Sequence, residues 1–110
     1  MNVPPFTAHN IRLDDGRCTI PDAPLLLEQW PGFHSVSRVL DLVFPSGKGN
    51  YRIADLGCLE GGYSVGFARM GFEAVGIEVR DANFQCCTYV KDHVSLPNLQ
   101  FVQDNVLNFS

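Results

Sequence analysis

The stretch from Tyr51 to Asp104 alternates between two periodicities. "YRIADLG" is a short apolar run that closes on Gly57, and "GYSVGFARMG" sets Tyr63, Phe67 and Met70 at helical spacing before Gly71 stops it. "FEAVGIEV" is apolar again. Asp81 is placed to cap a helix through "ANFQCCTYVKDHV", where Phe84, Cys87, Val90 and Val94 form an inward stripe; "SLPN" turns the chain into a third run, "LQFVQD". Strands this apolar cannot leave one face in water, so the order strand–helix–strand–helix–strand predicts a parallel sheet. Right-handed crossovers then set the three strands side by side, with their C-terminal ends along one rim.

Residues 1–50 read differently. They hold six of the seven prolines, and their periodicity is broken. "HNIRLDDGRCTIP" predicts two short strands around Asp15-Gly16, a dipeptide suited to a tight hairpin turn. "FHSVSRVLDLVF" predicts a helix from the spacing of Val36, Val39, Leu40 and Val43, with Ser35 as its cap and Pro45 as its end. The expected fold is therefore α/β, a Rossmann-like β-α-β-α-β sheet at 51–110 behind an extension at 1–50 made of a hairpin and a helix.

With 110 residues and 45% hydrophobic content, the chain suits one small globular domain. Its formal charge is −4 and its basic residues do not cluster, so nucleic acid is not indicated as a partner. No apolar run approaches the ~20 residues of a membrane span, and "MNVPPFTAHN" lacks the features of a secretory signal. Cys18, Cys58, Cys86 and Cys87 form no C-x-x-C pair, which indicates neither a metal site nor a disulfide framework. Reduced thiols in a cytoplasmic protein is the expectation.

Ligands of open α/β sheets bind beyond the carboxyl ends of the strands. Asp55 and the loop Gly57-Cys58-Leu59-Glu60-Gly61 close the first strand, and the glycines there allow a tight turn and close approach to the backbone. Glu78 ends the second strand, 21 residues after Gly57, where a carboxylate can accept two hydrogen bonds from a ribose diol. Asp104 ends the third strand. Gly66 and Gly76 are expected to permit close packing of helix on strand. Trp30 and Phe33 are expected in core or N-terminal packing rather than in a substrate pocket, and His9, His34 and His93 in surface or structural roles.

These residues resemble the N-terminal half of a class I S-adenosylmethionine-dependent methyltransferase. That family's first motif, an apolar strand ending in acid-x-Gly-x-x-x-Gly, is matched by Ile53 through Gly61. Its second-strand acid is matched by Glu78 and its third-strand acid by Asp104. The resemblance implies that S-adenosylmethionine is the cofactor. Asp55, Gly57, Cys58, Leu59, Glu60 and Gly61 would hold its methionine part, Glu78 its ribose, and Asp104 would lie near its adenine amino group, with Val79 and Asn105 also among the cofactor-binding residues. Cys58 departs from the usual glycine, with a side chain that can turn away. The family's acceptor-contacting groups usually follow a fourth strand, so a longer protein is expected, and neither acceptor nor general base is assigned.

Two other readings compete. A nicotinamide-dependent oxidoreductase would also use Glu78, but G-x-G-x-x-G is absent because position 59 is Leu, and Asp55 would repel a pyrophosphate. A non-catalytic nucleoside-binding or interaction module is the third reading.

Overall fold

The computed structural model describes residues 3–108. Three strands, β1 (Arg52–Leu56), β2 (Glu73–Glu78) and β3 (Leu99–Gln103), form one parallel sheet in the order β1-β2-β3. Asp55 pairs with Gly76, Leu56 with Ile77, and Glu78 with Gln103. Helix α2 (Gly62–Met70) links β1 to β2, and helix α3 (Asp81–His93) links β2 to β3. Both lie against one face of the sheet. A Cβ on Gly76 would meet Ser64 of α2 and Phe101 of β3, and one on Gly61 would meet Phe101 and Cys87 of α3. Gly76 therefore permits helix-on-strand contact. Gly66 instead admits the ring of Phe33, a contact between helices.

Alternation along the strands puts Ala54, Leu56, Val75 and Ile77 on the opposite face, where Leu56 is 56% exposed. Among the described residues β1 and β3 each pair on one side only.

Residues before Tyr51 complete the core. Ile11, Leu13, Leu27 and Phe33 pack with Val65, Phe67, Ala74, Val90 and Leu99 in a single cluster. The expected hairpin is smaller than its sequence implies. One antiparallel bridge, Arg12 to Cys18, flanks the turn, because Thr19 Oγ1 and the Asn10 side chain take up backbone groups that a strand ladder would use.

Helix α1 spans Pro31–Val43. Trp30 is its cap residue and Pro31 its first residue, where a missing N–H costs nothing. Ser35 thus lies inside the helix and caps nothing. Its buried face is Phe33 with half-buried Leu40, so Val36, Val39 and Val43 flank that face and remain exposed. At α3 the cap residue is Arg80. Asp81 is the first helical residue, and its carboxylate accepts a hydrogen bond from the Gln103 side chain instead of capping. Along α3, Cys87, Val90 and Val94 are buried and Phe84 is half-buried.

Among the described residues no helix is long and apolar enough to cross a membrane. No group of three His, Cys, Asp or Glu side chains gathers to hold a metal there.

Candidate functional site

The turn after β1 is built from its own backbone. The N–H groups of Gly57 and Cys58 both donate to the carbonyl of Ile77, at 2.8 and 3.0 Å, and the Gly61 N–H donates to Cys58 O. This path demands left-handed backbone at Gly57 (φ 71°), Leu59 (φ 53°) and Gly61 (φ 95°). Gly61 is also required by space, since a Cβ would lie 2.7 Å from the Phe101 ring. At Gly57 a Cβ would meet nothing within 4 Å, so open space lies over that residue.

Asp55 and Glu78 lie at the ends of adjacent strands beside this loop. The Asp55 carboxylate accepts a hydrogen bond from Ser64 Oγ at 2.8 Å. Burial, and after it the negative charge of Glu78, pushes its pKa above the ordinary value, against the Ser64 hydrogen bond and the nearby His9 ring. Glu78 is 4% exposed. Its Oε1 accepts the Leu59 N–H at 2.9 Å, and its Oε2 accepts the Arg80 N–H at 3.0 Å and the Asn83 amide at 3.4 Å. The carboxylate thus joins the loop to the start of α3, and Oε1 keeps a second lone pair. Val79 follows with an exposed side chain.

Asp104 and Asn105 sit at the same rim but work locally. Asp104 Oδ1 accepts from the Asn105 N–H and the Asn108 amide, and Asn105 Oδ1 accepts from the Leu107 N–H, which winds the turn Val106–Asn108.

Glu60 departs from its expected place with the cofactor. Its side chain points to the N-terminal segment, where Oε2 accepts the Thr7 N–H and Oε1 accepts the N–H groups of Ala8 and His9, at 2.7 to 3.0 Å. Burial alone would raise this carboxyl, yet those donors hold its pKa below the ordinary value. Cys58 is turned inward, its Sγ 3.7 Å from Cys87 Sγ, while the Cys87 thiol donates to Leu59 O at 3.1 Å. The Cys58 hydrogen bond, followed by burial, pushes the Cys87 thiol up, and burial pushes Cys86 up to about 11. Neither is a reactive thiolate.

Sequence reasoning missed three contributors: Ser64, the Cys58–Cys87 contact and His9. His9 Nδ1 accepts the Gly62 N–H at the start of α2 at 2.9 Å, across 53 residues of chain. Ser64 has a readable signal, since it lies one helical turn into α2 on the face opposite Gly76, where only a small partner fits. Two open hollows lie elsewhere, one lined by Arg52, Glu73, Asn98 and Gln100, the other by Leu13, Arg17, Cys18 and Tyr89.

No family model matches the chain, and no curated protein matches it. Solved structures that resemble it include two of one domain. The N-terminal domain of EvdMO1 with SAH bound aligns at a TM-score of 0.58 and 26% identity, over 74% of this chain and 33% of that one. The same domain in the presence of SAH and D-fucose aligns at a TM-score of 0.63 and 22% identity, over 92% and 40%. The chain thus spans about a third to two fifths of the length of the structures it matches. Its parallel β-α-β-α-β unit is the Rossmann-like, S-adenosylmethionine-dependent methyltransferase-like fold.

Proposed function

We propose that this chain is the cofactor-binding portion of an S-adenosylmethionine-dependent methyltransferase. The observation that carries the reading is the hydrogen bond from the Leu59 N–H to Glu78. It ties the second-strand acid to the glycine loop, with the Asp55 carboxylate near enough to feel its charge. The likeness to a domain crystallised with SAH supports the same ligand class.

The residues fit the ligand on chemical grounds. Asp55 is a part-buried carboxylate with one side-chain donor, so an ammonium group would relieve the cost of its burial. The open space over Gly57 admits a ligand against the backbone. Glu78 Oε1 has a lone pair for a ribose hydroxyl, and exposed Val79 offers an apolar surface to a base. S-adenosylmethionine would supply a methyl group already activated by its sulfonium, so the protein's task is chiefly to hold and orient.

Calorimetric titration of the chain with SAH and with NAD tests this. Binding of SAH without NAD is expected, and Glu78→Gln, with folding checked by its melt, should weaken SAH by about 1–3 kcal/mol. Binding of NAD alone, or of neither ligand, would refute the reading.

A further inference from the structure

The loop region concentrates negative charge, with Asp55, Glu60 and Glu78 all on it or beside it. Such a site suits the ammonium and sulfonium of an amino-acid-bearing nucleoside but repels the carboxylate that accompanies them. That carboxylate needs a hydrogen-bond donor.

His9 meets the requirement. Its Nδ1 is committed to accepting the Gly62 N–H, so the ring is neutral and carries its proton on Nε2. Burial lowers its pKa, against the pull of Glu60 and Asp55, which agrees with a neutral ring. Nε2 has no partner among the described residues. No deeply buried side-chain nitrogen or oxygen there lacks a partner, so Nε2 is not fully enclosed although the residue is only 4% exposed.

The backbone of His9 is fixed from both sides, its N–H by Glu60 Oε1 at 2.7 Å and its carbonyl by Thr19 Oγ1 at 2.7 Å. Trp30 and Tyr63 meet the ring edge-on at 5.9 and 6.3 Å. A donor held this firmly at the start of α2 loses little entropy on engaging a ligand.

We propose that His9 is a ligand-contacting residue whose Nε2–H donates to the carboxylate at the amino-acid end of the cofactor, opposite the ammonium held by Asp55. This rests on the cofactor reading above and adds to it a binding residue from outside the strand-end motifs.

The test separates the two ring nitrogens and the two ends of the ligand. Asn at position 9 can place an oxygen where Nδ1 stands and keep the Gly62 hydrogen bond, but it has nothing at Nε2; Gln can reach the Nε2 position instead. SAH and 5′-methylthioadenosine are titrated into the wild-type chain, His9→Asn and His9→Gln, with melts run alongside. In His9→Asn, SAH should weaken about tenfold or more while 5′-methylthioadenosine, which lacks the amino-acid end, is unchanged. His9→Gln should recover part of the SAH affinity. Equal weakening of both ligands would make His9 a structural cap and overturn the proposal, as would unchanged SAH binding in His9→Asn. If the wild-type chain binds 5′-methylthioadenosine and SAH equally, the His9 contact fails and the nucleoside site stands. If it binds neither, the cofactor reading fails and takes the His9 contact with it.

Discussion

Leu59 holds a backbone conformation that a side chain resists. At φ 53° it is the one non-glycine with positive φ among the described residues, at a cost of about 1–2 kcal/mol. Two hydrogen bonds hold it there, since its N–H is taken by Glu78 and its carbonyl by the Cys87 thiol. Strain of this kind gathers at functional loops when the surroundings over-determine the geometry. Leu59→Gly should relieve it and, after the added freedom of glycine in the unfolded chain, raise stability by about 0.5–1 kcal/mol in a urea titration. A fall in stability would mean that the Leu59 side chain contributes more packing than its 45% exposure implies. The sequence made Gly57 and Gly61 legible because glycine marks left-handed backbone. It could not reveal the same demand at position 59, where the conformation is imposed by partners on β2 and α3.

The N-terminal segment is an element held by chemistry that local sequence does not disclose. Glu60 looks like a loop charge, yet its donors lie 51 to 53 residues away. Hairpin and helix boundaries failed for related reasons. Ser35 is a good cap by type, but Phe33 has to be helical to seat its ring on Gly66, and Pro31 starts the helix earlier. The pH response follows from the anchors. Glu60 is held below its ordinary 4.5, so its stabilisation is present above that pH and lost as the pH falls through the lowered value. His9 is lowered from 6.5, so its contribution is likewise present above 6.5 and lost on acidification. Asp55 is raised from 3.8 and has the opposite sign, favouring the folded state at low pH. Amide exchange at Thr7–His9 should therefore accelerate below pH 4.5 before the sheet opens, and Glu60→Ala should cost about 2–3 kcal/mol at neutral pH. Exchange at these amides that tracks global unfolding at every pH would contradict the anchoring role.

At the scale of the molecule, the sheet was the most legible part. Apolar strands alternating with helices admit few arrangements, and the observed order β1-β2-β3, all parallel, is the one that short right-handed crossovers give. The exposed apolar groups were less so: Val36, Val39 and Val43 reveal α1 by their spacing but are not the face it buries, because Phe33 and Leu40 set its rotation. Under the proposed function, a nucleoside bearing an amino-acid end binds at the C-terminal rim of this sheet. Amide chemical-shift mapping during titration with SAH tests it most directly. Perturbations concentrated at Gly57–Gly62, Val79 and Asp104 are expected. Perturbations confined to the hollow around Arg52, Glu73 and Asn98, at the other end of the strands, would contradict it.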